Sequence, residues 1–293
     1  MTTLSDILQD VCIYLGDFKE GKATGGSTTT VVDSSLAGND DEWNGGTVFI
    51  TYDAGGAAAA PEGQFAKISD YAAATGTVTC DTLTAAAAAN DYYGLVTKEW
   101  PLYKLISLVN SALSGIGDIE LVDTTTLDTA ANQTEYANAL VWKRSGPKRI
   151  DIQGITTDAD DNKWREIPRG LWEHVPATAG STGLIVFDYQ PVSGRGLRIW
   201  YKDVHPAVRV YSSVIYEAIH PEWLVWETVY RALRWRKGMQ DAPSGIEDML
   251  READQRRLEY RALHPMIETR RKGRLFMVGP YEEKDRFSYP GPA

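Results

Sequence analysis

Residues 214–264 read VIYEAIHPEWLVWETVYRALRWRKGMQDAPSGIEDMLREADQRRLEYRALH, and two helices can be laid on them before the rest of the chain is settled. Leu224, Val225, Thr228, Val229, Ala232 and Leu233 recur at spacings of one, three and four, the repeat that lines one helical face. Pro221 suits a first helical position, where a missing N–H removes no bond. A short turn from Val214, a kink and a longer helix ended by Gly238 are therefore expected. Ser244-Gly245-Ile246-Glu247 has the spacing of a capping box, in which each terminal side chain accepts from the other residue's backbone N–H. It predicts a second helix through Met249, Leu250 and Ala253 to about Leu263, where His264-Pro265 forbids continuation. The pair forms an αα-hairpin with Leu224, Val225, Val229, Leu233, Ile246 and Leu250 in its core. Arg231, Arg234, Arg236, Lys237, Arg251, Arg256, Arg257 and Arg261 are expected on its polar side.

Beyond the hairpin, Pro265 to Ala293 has one short apolar run, Leu275 to Val278, and no helical period. Such a segment cannot offset an ordering cost of roughly 1–2 kcal/mol per residue by itself, so it is read as an extended arm that orders on a partner. Its contact residues would be the basic Arg270, Arg271, Lys272 and Arg274 and the aromatic Phe276, Tyr281, Phe287 and Tyr289. Docking on another protein is favoured over nucleic acid.

Upstream, Thr3 can cap a first helix whose apolar stripe is Leu4, Ile7, Leu8, Val11, Cys12 and Leu15. The period then changes. Thr28 to Ser34, Thr47 to Tyr52, Gln64 to Tyr71, Thr77 to Leu83 and Tyr92 to Thr97 read as strands between turn signals. Helical period returns after Pro101 with Leu102, Leu105, Ile106, Val109 and Leu113. A second strand-rich region has candidates at Thr134 to Trp142, Arg149 to Thr156, Lys163 to Ile167, Leu171 to Val175, Leu184 to Asp188 and Leu197 to Tyr201. Trp142, Trp164, Trp172 and Trp200 read as core more readily than as sugar-stacking platforms.

The expectation is an α+β fold with a helical bundle core made of the N-terminal helix, the middle helix and the C-terminal αα-hairpin. Two all-β modules and the arm are added to it. The ranges are 1–20 and 99–118 for the first helices, 21–98 for the inserted β module and 119–212 for the second. The hairpin takes 213–264 and the arm 265–293.

Charge is divided unevenly. Residues 1–130 hold 18 Asp and Glu against 5 Lys and Arg, and residues 131–293 hold 22 against 25. An acidic first half does not bind a phosphate backbone by counterion release. No apolar run approaches the ~20 residues of a membrane span, and the first 17 residues lack the basic start of a signal peptide, so synthesis in a cytoplasm is expected. Cys12 and Cys80 read as buried free thiols.

The search for chemistry finds little. His205, His220 and His264 precede prolines and show no metal-site spacing. Asp158 to Asn162 resembles the opening of a calcium loop, but Lys163 and Arg169 stand where Gly and Glu are needed. No phosphate loop, nucleophile elbow or CxxC is present in the sequence. No enzymatic activity, metal or cofactor is expected.

The order of helix, β insertion, helix from Trp100-Pro101, strands and closing hairpin with a tail resembles the head-to-tail connector (adaptor or neck) proteins of tailed bacteriophages. The stretches that carry it are Asp41 to Ile50, Ile68 to Tyr71, Thr75 to Thr79, and Tyr103 to Asn110 leading to Gly115-Ile116-Gly117. The resemblance implies a virion protein in a homo-oligomeric ring of about twelve subunits, closed as cyclic assemblies are. The ring would sit below the portal, with its C-terminal arm docked on the portal protein and a downstream neck or tail-completion protein beneath. DNA would pass through without sequence-specific binding, and no membrane is involved. The alternative is a β-rich receptor- or carbohydrate-binding tail or fibre protein, with a glycosidase as a weaker third reading.

Overall fold

The computed structural model describes residues 2–56, 59–124, 128–138, 146–154, 164–176, 183–239 and 245–265. The expected arm contacts, Trp142, the Asp158 to Asn162 loop and Ser244 lie outside the described residues.

Helix α1 (Leu4–Tyr14) begins as its sequence requires: the Asp6 N–H donates to Thr3 Oγ1 at 3.3 Å and the Thr3 N–H donates to Asp6 Oδ2 at 2.8 Å. Strands β1 (Lys19–Lys22), β2 (Gly25–Gly26), β3 (Thr30–Val32), β4 (Thr47–Tyr52), β5 (Phe65–Ala72), β6 (Thr77–Cys80) and β7 (Tyr92–Val96) follow. They form one antiparallel sheet ordered β1-β7-β4-β5-β6-β3-β2. β4 is buried on both faces, and the reason is alternation. Val48 and Ile50 enter a cluster internal to the sheet with Ile68, Tyr71, Val78 and Tyr93, while Phe49 points the other way into the helices. Tyr93 donates to Asp33 Oδ2 at 2.7 Å and Tyr71 to the Leu36 carbonyl at 2.9 Å, so both buried phenols are satisfied.

Helix α2 (Leu102–Ile116) leads into β8 (Ile119–Asp123), which joins β10 (Pro147–Gln153), β11 (Trp164–Ile167) and β14 (Leu197–Asp203) in the order β11-β10-β14-β8. β9 (Glu135–Asn138), β12 (Trp172–Val175) and β13 (Gly183–Phe187) make a third antiparallel sheet, with a 3₁₀ turn at Arg169–Leu171 before β12. Helices α3 (Pro221–Lys237) and α4 (Ile246–Leu263) close the described chain and pack side by side.

The structure corrects the expected fold class. It is a mixed, sheet-rich fold, 31% strand against 28% helix, with four helices and fourteen strands in three antiparallel sheets among the described residues. It is not built on a helical-bundle core. Phe49, Val96, Ile119 and Leu121 from strands and Val208, Ile215 and Ile219 from connections enter the cluster that holds the helices, and the sheets own two further clusters. An apolar helical stripe demands burial without specifying the partner, and here sheets supply much of it.

Two local expectations are also revised. No helix precedes Pro221; instead Val214 bridges Thr3 in antiparallel fashion, and Ile215 and Ile219 are buried. The first residue of α4 is Ile246, with Gly245 as its N-cap at φ 88° and no side-chain cap. Glu247 is thus one position too early for a capping box, and its carboxylate pairs with Lys237 at 2.8 Å. The second β region contains two sheets, and both contribute to one hydrophobic cluster.

Candidate functional site

The region where α1, α3 and α4 meet combines exposed apolar surface with unbalanced charge. Leu4, Ile7, Leu8 and Val11 are spent on the core, which turns Ile13 and Tyr14 to the rim of α1 at 49% and 42% exposure. Tyr14 lies against Trp226, with ring centroids 4.3 Å apart. Val229 and Leu233 of α3 and Met249 of α4 complete a groove of about 230 Å³, with Glu252 at its edge.

Carboxylates gather around Tyr14 at the rim of this groove. Burial first, and then the charges of Glu222 and Asp6, raise the Asp10 carboxyl above its ordinary range. Burial, and then the charges of Glu222 and Asp10, raise the Tyr14 phenol, with Arg256 opposing them. Glu222 Oε2 is buried without a hydrogen-bond partner, as is His220 Nδ1. His220 and His264 stack at 3.8 Å, with Tyr260 parallel at 5.8 Å from His220, so the end of α4 is fixed on the start of α3. Burial and then the His264 charge lower the His220 pKa.

The residues expected to form the hairpin core fall together. Leu224, Val225, Val229, Leu233 and Ile246 are buried in the cluster around the helices, and Leu250 is partly buried against it. The arginines expected on a polar side divide. Arg234, Arg251, Arg256 and Arg261 are exposed, but Arg236 is 7% exposed and lies 3.6 Å from Glu99. Arg231 and Arg257 turn inward onto Glu227, at 2.7 and 3.0 Å. Glu227 was missed by the sequence reading. Its only signal is position, since it neighbours Trp226 and Thr228 on a helix whose buried face is wider than the apolar stripe.

A second face has aromatic character. Trp172 is buried, while Trp164 and Trp200 are half-buried on the four-stranded sheet. Arg198 stacks on Trp164 at 4.1 Å and Arg149 on Trp200 at 5.4 Å. Beneath them the fully buried Asp151 accepts from the Trp200 indole N–H at 2.8 Å and from Arg149 Nε at 2.6 Å.

His205 is held between two backbone groups: Nε2 accepts from the Tyr216 N–H at 3.1 Å and Nδ1 lies 2.6 Å from the Pro206 carbonyl. Among the described residues no cluster of His, Cys, Asp or Glu is arranged to hold a metal, and no helix is long and apolar enough to cross a membrane. Cys12 and Cys80 are free and buried. No protein-family model matches this chain, and no curated protein matches it.

Proposed function

We propose that the chain is a structural subunit of a phage head-to-tail connector, one of a closed ring of about twelve below the portal through which DNA passes. The observation that carries this reading is the charge on the seven-stranded sheet and its connecting loops. Residues 19–96 hold ten Asp and Glu against three Lys, and Glu20, Asp40, Asp41, Glu42, Asp70 and Asp81 are exposed. A surface of that sign gains nothing from counterion release on DNA, so a duplex can slide past it. The arm from Arg270 to Tyr289 docks on the portal in this reading, with cations steering and aromatics anchoring. The half-buried strand tryptophans, which a carbohydrate-binding protein would use as platforms, are engaged by Arg198, Arg149 and Asp151.

The test is a mass measurement and a negative-stain image of the purified protein, alone and with portal-bearing heads. Closed rings matching the portal are expected, and deletion of residues 270–293 should leave a soluble protein that no longer attaches. A trimer, or a subunit that stays monomeric and unattached in the presence of portal, overturns the proposal.

A further inference from the structure

We propose that the groove between α1, α3 and α4 seats the chain's own apolar run Leu275-Phe276-Met277-Val278 in the free subunit. The inference stands apart from the connector reading, because it concerns one chain before any partner is met.

Reach is the first argument. His264 is stacked on His220, so the chain leaves α4 beside the start of α3. Val229, which lines the groove, lies nine residues after His220, which is ~13 Å along α3 at 1.5 Å per residue. Ten residues, Pro265 to Arg274, separate α4's end from the run, and ten residues can span up to ~33–36 Å. The run therefore reaches its own groove with chain to spare. A tethered group also has an effective concentration in the millimolar range, which a second copy in dilute solution lacks.

Chemistry is the second. The groove wall is Ile13, Tyr14, Trp226, Val229, Leu233 and Met249, and its volume of about 230 Å³ holds one or two large side chains rather than a whole element. Met249 is a pliable contact that accommodates Leu, Phe or Met without a fixed shape. Asp10, Glu222 and Glu252 stand near it, with Asp6 behind Asp10 and Arg256 the cation that acts on Tyr14. Arg270, Arg271, Lys272 and Arg274 come directly before the apolar run. A chain returning from α4 would carry those four cations past the carboxylates as Leu275 and Phe276 enter the groove.

Two cysteine pairs in the full chain test this: Ile13→Cys with Phe276→Cys, and Met249→Cys with Phe276→Cys. Lys67→Cys on β5 with Phe276→Cys serves as control. Ile13 is half-exposed, so its substitution spares the core. The native Cys12 and Cys80 are buried, and burial pushes the Cys80 thiol up to about 11 and the Cys12 thiol further, which keeps both out of the exchange. Disulfide formation needs Cα atoms within about 7 Å, so a bond reports seating directly. The expected result is an intramolecular disulfide in both test pairs, on the order of ten-fold above the control, as tethering to a specific seat requires. Bonds formed only between chains would overturn the proposal in favour of a second copy as occupant. Yields equal to the control in both pairs would overturn it outright.

Discussion

Glu227 is the side chain on which three helices converge. It sits on α3, accepts from Arg231 Nε at 2.7 Å and Arg257 Nη1 at 3.0 Å, and Arg231 in turn donates to Ser111 Oγ of α2 at 2.7 Å. Arg257 also covers the Tyr230 ring at 4.1 Å. Breaking a fully buried pair costs about 3–5 kcal/mol, and the partial exposure of both arginines lowers that, so Glu227→Ala should cost about 2–3 kcal/mol. A urea midpoint unchanged by the substitution would show that the arginines re-solvate without loss. His205 makes a different kind of statement, because its Nε2 accepts a backbone N–H only while unprotonated. Burial lowers its pKa from 6.5, with the Pro206 contact opposing, and burial first also lowers His174 and His220. The unfolded chain then takes up these protons first. The stability these groups contribute is present above pH 6.5 and is lost as pH falls through the depressed folded values. Asp10 and Asp17, whose carboxyls are raised chiefly by burial, act with the opposite sign at lower pH. His205→Gln keeps an acceptor for Tyr216 and cannot be protonated. Its denaturation midpoint should fall less steeply than wild type between about pH 6.5 and 5. Identical slopes would remove His205 from the account.

At the scale of elements, the two outer helices start by different physics. α1 is capped by Thr3 and Asp6 in full, so Thr3→Ala should cost about 0.5–2 kcal/mol. α4 enters through Gly245 at φ 88°, with open space where a Cβ would stand. Gly245→Ala should therefore cost about 1–2 kcal/mol through backbone conformation alone. Equal midpoints for wild type and the Gly245 variant would mean that the turn relaxes into another shape. The sequence predicts a single cap at Thr3 and a box at Ser244 to Glu247, yet the box forms at α1, between Thr3 and Asp6. Thr3 and Asp6 precede an unbroken apolar repeat, whereas Ser244-Gly245 offers two competing starts one residue apart. Strands with strict alternation or turn boundaries, such as Thr47 to Tyr52, were legible to the residue. β1, Lys19 to Lys22, and β2, two glycines, carry no apolar pattern and pair only because β7 and β3 present open edges. The groove was illegible for a related reason. Ile13 and Tyr14 belong to the tail of an ordinary amphipathic stripe, and only the crossing of α1 over α3 and α4 leaves them uncovered.

Across the whole molecule, apolar burial is divided among three clusters, and what joins the largest sheet to the helices is narrow. The sheet's own core of Val48, Ile50, Ile68, Tyr71 and Tyr93 does not reach the helices. The bridge is Phe49, flanked by Phe18 and Phe65 with ring centroids 5.9 Å away on each side, and Phe65 meets Tyr211 edge-on. Val96 and the Asp17 carboxylate, which accepts from the Thr97 N–H at 3.1 Å and its hydroxyl at 2.6 Å, pin the two chain crossings beside it. A sheet with its own core and a small aromatic joint can melt by itself once the joint is weakened. Phe49 is fully buried, so Phe49→Ala should cost about 3–5 kcal/mol, and the loss falls on the coupling between the parts as well as on each part. The expected signature is calorimetric: thermal unfolding of the variant should separate into two transitions, or show a van't Hoff enthalpy well below the calorimetric one. Ile68→Val, a smaller change inside the sheet's private core, should lower the sheet's transition by about 0.5–1.5 kcal/mol and leave the helical transition in place. A Phe49→Ala protein that still unfolds in one step with matching enthalpies would show that sheet and helices form a single cooperative unit, held by Asp17, Thr97 and Val96 without the ring.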